Sequence, residues 1–490
     1  MEFEVLQKDL LGRIGRLKTK RGIVETPTLL PVINPNQIIL TPEEIKKCGA
    51  EMLITNAYII YKSRDLRKKA REKGVHELLE TDMPVMTDSG SYQLSEYGDV
   101  EVSSEEIVRF QVEIKSDIIV PLDIPTPPDA EFQQAEMEMM ISVERALEAL
   151  KIAKGKDVAG VIQGSIYEEL RERCASLLSQ YPFSIYPIGA AVPLLEEYRF
   201  SEIVRIIMAS KRALRFDAPV HLFGAGHPMF LSLAVAMGCD LFDSAAYALY
   251  ARDNRYLTEY GTVYLEDLKY FPCSCPICSS YTPDELRKDE EKFKLLSMHN
   301  LYVTFEELRR VKQAIVEGSL SELIEQRVRA HPLLLNAYRE FLKYSEFIEK
   351  FDSAVKSSFF YSGLESFRRP EVIFHEKKLK KMGIGGRVLI TTCKDNIKKE
   401  SYDYVMLVKI PFGVLPEELD ESYPAGQSLA PENLYEEEKR LVLRKVLKFI
   451  KNSEGEFTFL YDPSWELEEI NEIKKYAKVI CSNELSDKKN

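Results

Sequence analysis

Eight short apolar, β-rich runs recur along the first half of the chain, with helical segments between them. They are TLLPVIN from Thr28, EMLITNAY from Glu51, VMTDSGS from Val85, DIIVPLD from Asp117, VAGVIQGS from Val158, SIYPIGAA from Ser184, PVHLFGAG from Pro219 and LFDSAAY from Leu241. Stretches such as AEMEMMISVERALEALKIAK and FSEIVRIIMASKRAL separate them, and their apolar residues repeat at three- and four-residue spacing, the period of a helix with one buried face. Strand, helix and parallel strand repeated eight times over about 250 residues predict an α/β fold closed into a (β/α)8 TIM barrel. A doubly wound open sheet is the competing arrangement.

The residues that end these runs are the ones able to do chemistry. Asp88-Ser89-Gly90-Ser91, Asp123, Gln163-Gly164, Gly189, Gly224-Ala225-Gly226 and Asp243-Ser244 all sit at C-terminal ends. A barrel brings such ends to one mouth, where its active site lies. Asp88 and Asp243, each followed by Ser, can also be read as helix caps. Capping does not account for Gln163 or the glycine pairs. Two carboxylates in one pocket suit acid/base plus nucleophilic work at an acetal-like carbon with an oxocarbenium-like transition state. Asp123 and Gln163 then remain to read the polar edge of a planar ligand, and Tyr92 and Phe223 lie where they could sandwich a flat ring.

Three of the eight cysteines fall in Cys273-Ser-Cys275-Pro-Ile-Cys278, and His299 follows in the next periodic segment. Three thiolates and one imidazole fill a tetrahedral shell and leave no position for water, so a zinc ion here is expected to hold structure. The other cysteines are scattered, which suits a reducing compartment better than a disulfide framework. The start of the chain lacks a signal-peptide pattern and no run approaches 18 apolar residues, so we expect a cytoplasmic protein without a membrane span. A net charge of −12 argues mildly against nucleic acid, while basic clusters around Arg64–Lys73, Arg252 and Arg255, and Arg368–Lys381 permit a polyanion partner.

The segments VMTDSGSYQLSEYGDVEV, SDIIVPLDIPTPPD, VIQGSIYEELR, HLFGAGHP, FDSAAYALYARDNRYLT, YFPCSCPIC and MHNLY resemble, in order, those of tRNA-guanine transglycosylases of the archaeal, archaeosine-pathway type. The resemblance runs from about Phe3 to Tyr344. It implies a pentosyltransferase that replaces guanine at position 15 of the tRNA D-arm with 7-cyano-7-deazaguanine (preQ0). By motif, Asp243 is the implied nucleophile and Asp88 the general acid/base. Ser89, Asp123 and Gln163 are implied base contacts, Tyr92 and Phe223 the stacking pair, and Gly189, Ala190 and Ala191 the backbone approach to the base. The family usually has glycine where this chain has Ala190, and an alanine keeps that backbone contact only if its φ stays negative. Cys273, Cys275, Cys278 and His299 match the zinc ligands, and Arg252 and Arg255 match a pair that holds flanking phosphates. No GxxxxGK[ST] loop occurs, in keeping with base exchange that needs no nucleotide cofactor.

The expected organisation is a barrel over residues 1–345 with a zinc-binding insertion at about 266–305, a linker at 346–370, and a smaller C-terminal α/β domain at 371–490. In the latter, RVLITT, DYVMLVKI and EFTFLY read as strands, and EEEKRLVLRKVLKFIKN and WELEEINEIKKYA as helices. The long family form adds a PUA module that the chain is expected to lack, so a separate PUA-domain protein is a candidate partner beside tRNA, guanine and preQ0. A homodimer is the expected assembly. The alternatives are a bacterial-type queuine or preQ1 enzyme acting at the anticodon, the paralogue that converts inserted preQ0, and a non-catalytic tRNA-binding subunit. The paralogue's Pro-Cys-x-x-x-Lys-Pro-Tyr-like signature is not found, and a subunit would be expected to have lost a catalytic aspartate.

Overall fold

The computed structural model describes residues 1–91, 102–393 and 401–486. They form two compact units, one of Met1–Val316 with Leu323–Phe341, the other of Glu317–Glu322 with the residues from Leu342 onward.

The first unit opens with an antiparallel sheet of β1 (Glu2–Asp9), β2 (Gly12–Thr19) and β3 (Gly22–Thr26). Eight parallel strands follow: β4 (Thr28–Ile33), β5 (Leu53–Asn56), β6 (Val85–Asp88), β7 (Ile118–Ile119), β8 (Asp157–Val158), β9 (Tyr186–Ile188), β10 (Val220–Leu222) and β11 (Leu241–Ser244). Each coincides with one of the eight runs. Their order is β8-β7-β6-β5-β4-β11-β10-β9. The ends of that row join through bridges Ala159–Ile185 and Ile162–Ile188, where Gly160 N–H donates to the Ile185 carbonyl (2.9 Å) and Ile162 N–H to that of Pro187 (2.7 Å). The sheet is therefore a closed (β/α)8 barrel rather than an open one.

Leu30, Met52, Ile54, Met86, Ile118, Val120, Ala159, Val161, Ile185 and Leu241 fill its interior. Each large side chain buried there contributes roughly 1.5–3 kcal/mol. The helices Phe132–Ala153 and Phe200–Ala213 bury Ala135, Met139, Val143 and Ala146, and Ile203, Ile206 and Ile207, at the spacing read from the sequence.

The antiparallel sheet closes the N-terminal end. Leu17 and Val24 join the interior cluster, and the fully buried Arg13 guanidinium holds Asp240 through Nε and Nη2, both at 2.7 Å. Asp240 also accepts from Val220 N–H (2.8 Å), tying the start of β10 to that pair. Among the described residues this leaves the C-terminal mouth as the open end of the barrel.

After β11 the chain forms the helix Ala246–Arg252 and the hairpin β12 (Arg255–Thr258) and β13 (Gly261–Tyr264). Two short helices, Pro276–Ser280 and Pro283–Lys288, lead into the long helix Lys292–Glu317. Tyr256, Leu265, Ile277, Leu286 and Leu296 form a separate small core, so this lobe begins at the hairpin and not at the expected residue 266.

The second unit holds a mixed sheet of β14 (Arg387–Thr391), β15 (Tyr404–Lys409), β16 (Gly413–Pro416), β17 (Glu456–Tyr461) and β18 (Lys478–Cys481), in the order β16-β15-β14-β17-β18. The helix Glu436–Asn452 turns Val442, Leu443, Val446 and Ile450 inward. The expected helix WELEEINEIKKYA is shorter, reduced to Glu469–Ile473 behind a 3-10 turn at Pro463–Trp465. Residues 346–370, expected as a linker, are packed within this unit: Phe359, Ser366 and Arg369 are fully buried, and Arg369 pairs with Glu322 (2.9 Å) and Glu371 (2.7 Å). Aromatic and basic residues read as tether because no period marks them, yet they bury as a cation over a ring, Arg369 lying 3.9 Å from the Phe359 centroid. Among the described residues no helix is long and apolar enough to cross a membrane.

Candidate active site and metal centre

The strand ends bring Asp88, Asp123, Gln163 and Asp243 to one mouth. Asp88 ends β6 in register with Asn56 at the end of β5, and Asn56 Nδ2 donates to Asp88 Oδ2 (3.0 Å). Gly90 N–H donates to the same oxygen (3.3 Å). Burial pushes the Asp88 carboxyl up to about 7, the charges of Asp123 and Asp243 add to that, and the amides of Gly90 and Ser89 oppose it. Near neutral pH this carboxyl both gives and takes a proton, the property of a general acid/base.

Asp243 lies in β11 beside Leu30 of β4. Gly224 N–H donates to its Oδ1 (3.0 Å), and His221 Nε2, fully buried in β10, lies 2.9 Å from the same atom. Asp243 does not cap the next helix. Its neighbour Ser244 does that work, accepting from Ala246 N–H (2.9 Å). The Gly224 amide is thus the hydrogen-bond donor to Oδ1, and Oδ2 carries no hydrogen bond among the described residues. Gly224 is at φ +72, and a Cβ there would meet Val192 Cγ2 at 2.2 Å, so only glycine presents this amide.

Asp123 and Gln163 form the other wall. Ser91 Oγ donates to Asp123 Oδ1 and Gln163 Nε2 to Oδ2, both at 2.5 Å. Burial raises Asp123 above the usual carboxylate range against the pull of those two donors. A ligand with adjacent N–H donors would offer this carboxylate what water no longer supplies. Ser89 is fully buried and turned elsewhere, its Oγ donating to the Pro121 carbonyl (3.0 Å) and lying 3.1 Å from Ser91 Oγ. Of the two serines it is Ser91 that touches Asp123.

Phe223 is half-buried over the barrel interior and packs edge-on against His221, 4.7 Å between centroids. Tyr92, expected as its stacking partner, lies outside the described residues. The Gly189-Ala190-Ala191 segment follows β9, and Gly189 passes so close that a Cβ would sit 2.3 Å from Gln163 Nε2. Ala190 is at φ +57. The condition of a negative φ is not met: the backbone keeps the glycine-like, left-handed path, and alanine carries a strain of about 1–2 kcal/mol. Arg252 is exposed at its helix end, while Arg255 lies over Tyr250 at 4.7 Å and donates to Thr262 Oγ1 (3.0 Å).

In the small lobe the ligand atoms of Cys273, Cys275, Cys278 and His299 all lie within 4.8 Å of one another. His299 Nδ1 is 3.4 Å from Cys275 Sγ and 3.3 Å from Cys278 Sγ, close to the roughly 3.6 Å that a tetrahedral zinc with Zn–S about 2.3 Å and Zn–N about 2.1 Å imposes. The other ring nitrogen, Nε2, donates to the Leu257 carbonyl (3.0 Å), which fixes the tautomer that turns a bare Nδ1 to the metal. The cluster fits a closed metal site. Next to it, Asn300 accepts from Leu257 N–H (2.9 Å) and donates to the carbonyls of Tyr247 (3.1 Å) and Arg255 (3.2 Å). The long helix thus holds both the hairpin and the helix that follows Asp243.

Asn56, His221 and Asn300 were not singled out in the sequence, and Ser91 was noted only as part of its run end. Their signal was position: Asn56 ends an apolar run, and His221 interrupts one.

A barrel that gathers carboxylates at one mouth and carries a Cys3His lobe after its last strand suits a class of enzyme that works at a glycosidic carbon. The comparisons agree: the queuine tRNA-ribosyltransferase family model matches residues 9–333, and the chain belongs to that family. Similar proteins include the tRNA-guanine(15) transglycosylase of Methanosarcina acetivorans, 53% identical over 480 residues that cover 98% of both chains. That of Archaeoglobus fulgidus is 50% identical over 93% of this chain and 94% of its own. That of Methanocaldococcus jannaschii is 50% identical over 92% of this chain and 72% of its own.

Proposed function

We propose that the chain is a tRNA-guanine transglycosylase that exchanges guanine at position 15 for preQ0, the first step on tRNA toward archaeosine. The observation that carries the reading is the proximity of Asp243, whose Oδ1 is held by the Gly224 amide, to Asp88, whose carboxyl is raised to about 7. Relatives named for that activity over nearly the whole chain support the choice of substrate.

Asp243 Oδ2 attacks C1′ of nucleotide 15 and the C1′–N9 bond breaks, its electron pair leaving with guanine. Protonated Asp88 supplies the proton that lets guanine depart neutral. The intermediate is an ester between Asp243 and the ribose. PreQ0 then gives its N9 proton to Asp88, N9 attacks C1′, and the Asp243 carboxylate is released. One glycosidic bond replaces another, so no nucleotide triphosphate is consumed. Asp123 accepts from the N1–H and exocyclic amine of the base, Gln163 donates to O6, and Phe223 covers one face.

Zinc is the metal the Cys3His set selects, and its role is to brace the lobe that carries Arg255. Arg252 and Arg255 take phosphates flanking the extruded nucleotide, whose unstacking costs a few kcal/mol. A cytoplasmic homodimer, with a separate PUA-domain protein as an additional grip on tRNA, completes the proposal.

The test is incorporation of labelled guanine or preQ0 into tRNA bearing guanine at position 15. Incorporation that needs that guanine and is lost in Asp243→Ala supports the reading. Incorporation independent of nucleotide 15 overturns it.

A further inference from the structure

One buried cation near the pocket makes no ion pair among the described residues, with Asp123 the one carboxylate whose field reaches it. Arg171, in the first turn of the helix Glu168–Ser179, is fully buried. Its fork is spent on backbone: Nε donates to the Ser165 carbonyl (2.8 Å), and Nη1 to those of Ile162 (2.7 Å) and Gly189 (3.0 Å). Nη2 is buried without a hydrogen-bond partner. Burial lowers this guanidinium only to about 10, so it stays charged at neutral pH.

An unpaired buried charge is costly, and three neutral carbonyls do not require one. What these carbonyls share is location. Ile162 and Ser165 flank Gln163, and Gly189 begins the segment that passes its amide. In a planar trans peptide the carbonyl and the following N–H point in opposite directions. Holding the Gly189 carbonyl toward Arg171 therefore turns the Ala190 N–H the other way, and that N–H finds no partner among the described residues. The positive φ of Ala190 is the strain that this fixed peptide imposes.

We propose that Arg171 is a positioning residue for base recognition, fixing the Gly189–Ala190 peptide with its N–H toward the incoming base and holding Gln163 in place through the carbonyls on either side. This deepens the base-exchange reading and rests on it. The ligand class is a purine-like base with an acceptor opposite the Asp123 edge. The residue is fully buried and bonded only to backbone carbonyls around the Gln163 and Gly189 segments, so its effect should fall on the base and not on tRNA.

The experiment is steady-state exchange by wild type, Arg171→Lys and Arg171→Met, varying guanine and tRNA separately, with thermal unfolding and metal content as folding controls. Arg171→Lys keeps the charge and loses the fork. We expect KM for guanine to rise by at least about tenfold, with KM for tRNA and kcat changed by less than about threefold. A folded Arg171→Lys variant with KM for guanine within about twofold of wild type overturns the inference, as does an equal rise in KM for tRNA. If neither variant folds, hydrogen exchange in the wild type decides: guanine slows exchange over residues 189–192, and unchanged exchange refutes the assignment. A wild-type chain that exchanges no base contradicts the functional reading itself, which separates the two failures.

Discussion

Asp88→Asn should stabilise the barrel more at alkaline than at acid pH. The folded carboxyl sits at about 7 against an ordinary 3.8, which at about 1.4 kcal/mol per pKa unit is roughly 4 kcal/mol of ionisation cost. Because the folded state holds this proton and the unfolded state loses it near pH 4, the contribution to stability is full below that pH and lost as pH rises through 7. Asparagine accepts from Asn56 and Gly90 as the acid does, and never ionises. Between pH 5 and 8.5 the advantage of the variant should grow by up to about 3 kcal/mol, an upper bound because the carboxyl keeps some solvent contact. Urea unfolding must be followed by far-UV circular dichroism, since the single tryptophan, Trp465, lies in the second unit and its fluorescence would not report the barrel. The same variant should lose about two to four orders of magnitude in exchange rate. A stability difference flat with pH to within about 0.5 kcal/mol would refute the buried, charge-crowded environment assigned to Asp88.

Removing the metal should loosen the lobe and spare the aspartates. Chelation is expected to release one zinc per chain, raise hydrogen exchange at Tyr256, Leu257 and the start of the long helix, and weaken tRNA binding while guanine binding persists. Ala190→Gly relieves a left-handed alanine, and after the added unfolded-state entropy of glycine it should raise stability by about 0.5–1 kcal/mol, read as a small upward shift in Tm. Gly189→Ala drives a methyl into Gln163 Nε2 and should raise KM for guanine by more than about tenfold, measured against an unchanged KM for tRNA.

The barrel was legible because parallel strands buried on both faces read as short apolar runs, and Asp88, Asp123, Gln163 and Asp243 were legible because they end those runs. Closure was read from the eightfold repeat, although the two bridges through which β8 and β9 meet carry no sequence mark. The sheet β1–β3 escaped notice because its burial is uneven, with exposed residues such as Leu6 and Ile23 in the same sheet as buried Leu17 and Val24. Asn56, His221 and Arg171 act through register or through backbone carbonyls, contacts that side-chain type and spacing do not encode. The positive φ of Ala190 goes against the preference of an alanine, so residue type alone left that part of the pocket open.

The covalent intermediate is the most direct test. Wild-type chain mixed with guanine-15 tRNA and quenched in denaturant should give a protein–tRNA band that excess preQ0 discharges, with the ribose mapped to the peptide containing Asp243. Asp243→Asn should give no band. Exchange that proceeds in the wild type without any such adduct, or a band of equal yield from Asp243→Asn, would contradict the mechanism.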